Sequence, residues 1–164
     1  MITGVSLEHT DYLGKDLQSI AAEKGGIIKP GRPVVIGPLA EETLPVIQRL
    51  AQERQARLIQ ARDVVSVKRK SQNLDGQQVS VESDSTSYGG LRCPLIGRHQ
   101  LENMGIAVAA LEVLRDECGL PVADQAVKEG LEMVEEKARM ELGMVKPNEI
   151  YVQIANSSAP PNAR

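Results

Sequence analysis

The sequence predicts an α/β fold in which parallel strands joined by crossover helices are followed by antiparallel strands, and then by a C-terminal helix and a short strand. Three patterns support this prediction. Short apolar runs alternate with amphipathic segments over the first 60 residues, as in a parallel sheet. From about residue 64, apolar and polar residues alternate, as in half-buried antiparallel strands. Two long stretches with helical periodicity follow.

Three short apolar runs predict the parallel strands. They are residues 2–7, 33–37 (PVVIG) and 57–61 (RLIQA). A helix is predicted between each pair of strands. The first helix spans 17–24, because Asp16 can cap its start and Gly25 can end it. The second spans 41–55, where apolar residues recur at helical spacing.

The antiparallel part begins after residue 63. Val64, Val65 and Val67 form one β-run, and residues 77–83 alternate apolar and polar side chains, as a strand with one buried face does. The tripeptide Tyr88-Gly89-Gly90 predicts a turn before a last strand over 91–97.

Helical periodicity dominates the remainder of the chain. A helix is predicted over 101–117, and a second over 124–142. The apolar face of the first is predicted to consist of Ala107, Val108, Leu111 and Leu114. Residues 150–154 (IYVQI) predict a short strand, and the polar, proline-containing end, 155–164, predicts a disordered tail.

Composition and charge exclude several classes of protein. Hydrophobic residues make up 41% and charged residues 25%, which is typical of soluble globular domains. The net charge of −3, with both signs interspersed, does not predict nucleic-acid binding. The basic run Lys68-Arg69-Lys70 is interpreted as a solvated strand end. No apolar run approaches the roughly 20 residues that span a bilayer, so no membrane partner is expected.

Cysteine usage and aromatic content bear on compartment and core. Cys93 and Cys118 lack metal-ligand spacing, which favours reduced thiols in a cytoplasmic protein. The chain has no Phe, no Trp and three Tyr. Its core must therefore consist of aliphatic side chains, which predicts modest stability.

His9 is the first residue that could carry chemistry. It follows the first predicted strand, at the carboxyl edge of the sheet where open α/β sheets bind ligands. Glu8 and Asp11 add carboxylates within a few positions. A metal ligand and an ordinary surface histidine both fit this pattern.

Lys24 and Asn103 are the other two candidates. Lys24 ends the first helix, where its charge would complement the helix dipole; a chemical role would require it to lie near His9. Asn103 lies three residues after Gln100 at a helix start, so it could bond the edge of an adenine or cap the helix. No GxxxxGK[ST] phosphate loop occurs in the sequence.

Two segments resemble the dihydrofolate synthase/folylpolyglutamate synthase family of the Mur ligase superfamily. They are residues 2–37, ITGVSLEHTDYLGKDLQSIAAEKGGIIKPGRPVVIG, and 89–114, GGLRCPLIGRHQLENMGIAVAALEVL. The resemblance covers about residues 2–130. It implies that residues 1–98 are the C-terminal half of the central ATP-binding ligase domain. Residues 99–130 would then be the hinge helix and the start of the ligase C-terminal domain.

The resemblance also implies a role for each candidate residue. His9 matches a magnesium ligand, Lys24 a lysine that becomes carbamylated, and Asn103 an asparagine that contacts ATP. The implied activity is ATP-dependent addition of L-glutamate to dihydropteroate or folate through an acyl phosphate, in folate biosynthesis and one-carbon metabolism. The implied cofactors are ATP and Mg²⁺. Gly25 stands where the family usually has alanine.

Parts of the family pattern are not found in these 164 residues. The phosphate loop, the other magnesium ligands and the glutamate-binding C-terminal domain are absent from the sequence given. We therefore expect the chain to be a fragment that does not catalyse the ligation alone.

The end of the chain resembles a second family. Residues 131–164 are similar to the C-terminal end of the septum-formation initiator family of bacterial division proteins, with a helix and strand over 131–154 and a tail over 155–164. This resemblance implies a chimeric reading frame. The alternatives to a ligase fragment are thus an interaction module that binds a division-protein partner through 131–154, or a frame without function.

Overall fold

The structure is a computed structural model that describes residues 1–4 and 16–133. The predicted strand at 150–154, the tail at 155–164 and residues 134–142 of the last predicted helix lie outside the described residues. Within the described part, no helix is both long and apolar enough to cross a bilayer.

The described helices and strands follow the predicted order, with two differences. A short helix at Ala61–Val64 was not predicted, and the first predicted strand, 2–7, is described only as far as residue 4, where Ile2 forms a bridge. The helices are α1 (Leu17–Gly25), α2 (Leu44–Glu53), α3 (Ala61–Val64), α4 (Arg98–Cys118) and α5 (Asp124–Glu132). The strands are β1 (Val34–Ile36), β2 (Leu58–Gln60), β3 (Val65–Asn73), β4 (Gly76–Ser83) and β5 (Ser87–Cys93). A parallel sheet is followed by an antiparallel sheet with helices, so the predicted fold class is confirmed.

The parallel sheet is built around β1. This strand pairs in parallel with β2, and on its other side Ile2 forms a parallel bridge with Ile36. The Ile2 amide donates to the Val35 carbonyl at 2.9 Å, and the Gly37 amide donates to the Ile2 carbonyl at 2.9 Å. Strand directions therefore agree across the sheet, and its carboxyl ends meet at one edge.

Side chains of β1 alternate between two hydrophobic clusters, because successive residues of a strand point to opposite faces. Val34 and Ile36 belong to the cluster that includes buried residues of α1 and α2, among them Ile47. Val35 belongs to the cluster that joins the antiparallel sheet, α4 and α5, among them Ile106. The short parallel sheet is thus covered on both faces, as a parallel sheet requires.

Helix α1 begins and ends close to the predicted positions. Asp16 caps it, accepting a hydrogen bond from the Ser19 amide at 2.8 Å. That bond holds the pKa of the Asp16 carboxyl below its ordinary value. The helix buries Ile20 and Ala21 and ends at Gly25, which packs against the side chains of α2.

The three-stranded sheet corrects one prediction. Tyr88-Gly89-Gly90 does not form a turn but lies inside β5. The pairing passes from Val79 with Leu91 to Val81 with Tyr88, so two glycines face one residue of β4. Gly90 has φ of 68°, the left-handed conformation of a bulge glycine. Glycines indicate turns and bulges equally well, which explains the error.

The face of α4 is the second correction. The helix begins at Arg98, three residues earlier than predicted, and contacts both β1 and β3. Its buried residues are Met104, Gly105, Ile106, Val108 and Ala109. Val108 was expected among them, whereas Leu114 is 40% exposed. Because α4 contacts two sheets, the buried part of its circumference is wider than a single apolar stripe. The last turns of the helix extend beyond both sheets.

The basic run Lys68-Arg69-Lys70 lies on β3, an edge strand of the antiparallel sheet within the described part. All three side chains are exposed, and Lys68 pairs with Glu82 across the sheet at 3.4 Å. Charged residues on an edge strand discourage pairing with another chain. The run is solvated as interpreted, but it lies in the middle of β3 and not at a strand end.

Both cysteines are free thiols, and they differ in exposure. Cys93 is buried, and burial raises the pKa of its thiol, whereas Cys118 is exposed. Since the thiolate is the reactive form, we expect iodoacetamide to alkylate Cys118 in the native protein and Cys93 only after denaturation. Mass spectrometry of quenched samples measures both sites. Equal native rates for the two thiols would contradict this placement of Cys93.

Candidate functional site

A cavity of about 330 Å³ opens at the carboxyl edge of the parallel sheet. Pro38, just beyond β1, and Ala61, directly after β2, line one side of it, and α4 lines the other. The complete lining consists of Pro38, Ala61, Arg62, Val65, Val67, Arg98, Leu101, Glu102, Gly105 and Ile106. This edge is where open α/β sheets bind their ligands.

The cavity combines apolar walls with charged side chains. Gly105 of α4 faces β3, and a Cβ there would lie in ordinary van der Waals contact with Cγ2 of Val67, at 3.5 Å. Arg62 and Arg98 contribute positive charge, and Arg98 pairs with Glu102 at 3.3 Å. The pair is exposed, so solvent weakens it and leaves the guanidinium free to exchange partners. The arrangement suits a flat apolar group that carries negative charge.

Lys24 lies at the same edge of the parallel sheet. Its Nζ donates to the carbonyl of Gly4 at 2.9 Å, and the side chain is half-buried. Gly4 is two residues beyond Ile2, which forms the parallel bridge with Ile36. Lys24 therefore contacts the chain just past the carboxyl end of that bridge. His9, five residues further along, lies outside the described residues. The predicted proximity of Lys24 and His9 therefore stays a prediction.

Asn103 lies on α4 and is not part of the cavity wall. Its side chain is exposed, while the preceding residues Leu101 and Glu102 line the cavity. Because α4 begins at Arg98, Asn103 is well inside the helix, and the alternative that it caps the helix is wrong. Gln100 bonds His99 at 2.9 Å rather than sharing a site with Asn103.

Gly37 lies at a close contact between the N-terminal segment, the end of β1 and α4. A Cβ at this position would lie 2.5 Å from the carbonyl oxygen of Thr3 and 2.5 Å from Cδ1 of Ile106. The chain that leads to Gly4, the end of β1 and α4 therefore meet here.

Sequence reasoning did not single out Gly37, Arg62 or Arg98 as site residues. An arginine directly after a predicted strand, as Arg62 is, offered one usable signal. The contribution of Gly37 depends on two distant segments, so no local pattern could indicate it.

The described part contains no group of three or more His, Cys, Asp or Glu side chains that could hold a metal ion. The predicted magnesium ligand, His9, lies outside that part. Magnesium binding stays a prediction for this chain.

Polar contacts fix α4 and α5 against the antiparallel sheet, apart from the cavity. Glu112 of α4 accepts hydrogen bonds from hydroxyl groups of the turn between β4 and β5: Ser83, Ser85 and Thr86. Tyr88 donates to Asp124 at 3.1 Å, and Arg115 donates to the same oxygen at 3.0 Å. Burial raises the pKa of Tyr88. These hydrogen bonds hold α4 and α5 against the antiparallel sheet.

No protein-family model matches the chain. Curated relatives do match it, and two bacterial synthases are among them. The dihydrofolate synthase/folylpolyglutamate synthase of Bacillus subtilis is 31% identical over 147 residues, covering 90% of this chain and 34% of the relative. The folylpolyglutamate synthase of Lacticaseibacillus casei is 30% identical over 141 residues, covering 86% of this chain and 33% of the relative.

Solved structures agree with these relatives. The apo form of L. casei folylpolyglutamate synthase (FPGS) superposes with a TM-score of 0.76 at 27% identity, covering 97% of this chain and 42% of that one. An FPGS–AMPPCP–folate complex superposes with a TM-score of 0.72 at 32% identity, covering 79% of this chain and 32% of that one.

The chain spans about a third of the length of the curated relatives it matches. The likeness of residues 131–164 to a division protein stays a prediction, as do the domain boundaries at 98 and 130.

Proposed function

We propose that this chain, whose homologues and structural neighbours are folylpolyglutamate and dihydrofolate synthases of the Mur ligase fold, forms part of the ATP site of a glutamate ligase. The reaction would join the amino group of L-glutamate to a carboxylate of dihydropteroate or a folate. The observation that carries the proposal is the cavity at the carboxyl edge of the parallel sheet, which is lined in part by Arg62 and Arg98.

The cavity supports the nucleotide part of the proposal. A volume of about 330 Å³ with apolar walls can receive a purine ring. Arg62 and Arg98 supply cations that can pair with phosphate oxygens. The exposed amide of Asn103 can both donate to and accept from an adenine edge. One of the structural neighbours was solved with AMPPCP and folate bound.

ATP would supply the phosphoryl group that activates the carboxylate before the amine of glutamate displaces phosphate. The residues of this chain would hold and orient the nucleotide: Asn103 the base, and the two arginines the negative charge. Preorganised cations at such a site stabilise charge that develops during transfer.

Lys24 fits the proposed carbamate in one respect. Carbamylation of an amine leaves one N–H, so the hydrogen bond to the Gly4 carbonyl could persist while the new carboxylate faces outward. We propose that this anion and His9 together contribute magnesium ligands. The described donor set alone does not form a metal site, so the contribution of His9 is essential to this part of the proposal.

Replacement of Asn103 by alanine should weaken ATP binding about 2- to 10-fold, because it removes hydrogen bonds of about 0.5–1.5 kcal/mol. Isothermal titration of the purified chain with ATP, with and without MgCl₂, measures this change.

A matched control is Gln52→Ala, which removes an exposed amide from α2. This variant should bind ATP as the unchanged chain does. Unaltered affinity in Asn103→Ala, or no saturable binding of ATP by the unchanged chain, would contradict the proposed nucleotide site.

A further inference from the structure

The C-terminal end of α1 is held by a residue from the end of another helix. Nη1 of Arg54, the residue that directly follows α2, lies within hydrogen-bond distance of three backbone carbonyls. These belong to Gly25 and Gly26 at 2.9 Å each, and to Ile28 at 2.6 Å. The carbonyl of Arg54 in turn accepts from the amide of Gly31 at 2.9 Å. One residue thus contacts the whole segment that leads from α1 towards β1.

The carbonyls of Gly25 and Gly26 lie at the C-terminal end of α1, and the carbonyl of Ile28 lies in the segment that follows. The Gly25 carbonyl also accepts from the Ile28 amide at 3.1 Å. Carbonyls at this end of a helix carry partial negative charge, which a guanidinium complements because it supplies hydrogen-bond donors and a positive charge. Arg54 is half-buried, so it replaces water that would otherwise solvate these groups.

The backbone around Arg54 is itself held in an unusual conformation. Gln55, the next residue, has φ of 52°, in the left-handed region that residues other than glycine rarely adopt. The Gln55 amide donates to Gln52, and the Ala56 amide donates to Ala51 at 2.8 Å. This tight end to α2 directs Arg54 towards α1.

Lys24 is one residue before the first of these carbonyls. Helix α1 has nine residues, too few to be stable by itself, so tertiary contacts set its position. The position of α1 relative to the sheet decides whether Lys24 Nζ reaches the Gly4 carbonyl. Gly25 and Gly26 have no side chains to anchor this end, and Arg54 binds their backbone instead.

We propose that Arg54 is a positioning residue that sets where the Lys24 side chain lies at the carboxyl edge of the parallel sheet. Its importance for function rests on the proposed role of Lys24 in the ligase site. The geometry itself does not depend on that role, because it follows from the contacts of Arg54 with the end of α1.

The test is the reactivity of Lys24 towards an amine-acylating reagent, without nucleotide. Limited acetylation of the purified chain, read by peptide mass spectrometry, gives a rate for each lysine. Lys29 is exposed and serves as the local reference, and Lys128 of α5 reports on general opening. In the unchanged chain Lys24 should react more slowly than Lys29, because its Nζ is bonded and half-buried.

In Arg54→Met the rate of Lys24 should rise about 5-fold while that of Lys128 stays the same, as expected from the loss of about 1 kcal/mol of ordering. Arg54→Lys keeps a cation near the carbonyls and should restore part of the protection. The matched control is Arg49→Met, which removes an exposed arginine of α2 whose partner is Glu53. It should leave Lys24 unchanged.

Two outcomes would overturn the inference. One is a rate for Lys24 that is the same in Arg54→Met as in the unchanged chain. The other is a parallel rise at Lys24 and Lys128, which would assign Arg54 to general stability. If Arg54→Met does not fold, the acetylation rates of Lys24 and Lys128 in Arg54→Lys provide the test instead. Failure of ATP binding would contradict the proposed function and not this result, because the labelling uses no nucleotide.

Discussion

Replacement of Ile106 by alanine is expected to lower the free energy of unfolding by about 2–5 kcal/mol, the usual cost of a large-to-small change in a core. Ile106 is 1% exposed and lies on the buried side of α4. Its Cδ1 contacts the Gly37 position, and the residue also lines the cavity at the carboxyl edge. The surrounding cluster consists mainly of aliphatic side chains, so a lost side chain leaves a void that its neighbours fill incompletely.

Leu114→Ala is the matched control, because it removes a side chain of similar size from the same helix. Leu114 is 40% exposed, and its truncation should cost about 0.5 kcal/mol or less. Urea denaturation monitored by circular dichroism measures the change in the free energy of unfolding for each variant. The comparison holds when the free energy depends on urea concentration with the same slope in both variants. Equal losses would show that the buried face of α4 is not the one described.

Replacement of Gly37 by alanine should cost about 1–3 kcal/mol, the usual penalty for overpacking a tight site. The new Cβ would lie 2.5 Å from the Thr3 carbonyl oxygen, which is backbone and has little room to move. Relief would require the segment around Ile2 to move away from β1, at the expense of the hydrogen bond from the Gly37 amide to Ile2.

Gly25→Ala provides the comparison for Gly37→Ala. A Cβ at Gly25 would contact the side-chain ends of Leu50 and Ile47, which can change rotamer. Alanine also gains about 1 kcal/mol of helix propensity over glycine. The two effects oppose each other, and alanine is the residue usual at this place in the family that the sequence resembles. Thermal unfolding should therefore show a small change for Gly25→Ala and a clear loss for Gly37→Ala. The reverse order would contradict the packing at both glycines.

The sequence predicted the elements whose signals are local. The cap at Asp16 and the end of α1 near Gly25 both depend on neighbouring residues, and both are observed. The strands β1 and β2 were likewise evident as short apolar runs. The bulge in β5 was missed because a glycine pair has the same local meaning in a turn and in a bulge, and the opposite strand decides between them.

The resemblance singled out Lys24 and Asn103, and their roles stay predictions. The structure shows Lys24 bonded to the Gly4 carbonyl and Asn103 exposed on α4. The parts played by Gly37 and Arg54 were not predictable from local patterns. Each residue contacts segments that are distant along the chain. Gly37 packs against Thr3 and Ile106, and Arg54 contacts the end of α1.

By itself, the sequence determined the order of strands and helices, the aliphatic character of the core and the likeness to folate ligases. These properties depend on composition, on short-range periodicity and on motifs within about 35 residues. The tertiary structure alone decided which face of α4 is buried, where the cavity lies and what holds Lys24 in place. The physical reason is that these features arise from close contacts between segments as far apart as Thr3, Gly37 and Ile106, and such contacts exist only after the chain has packed.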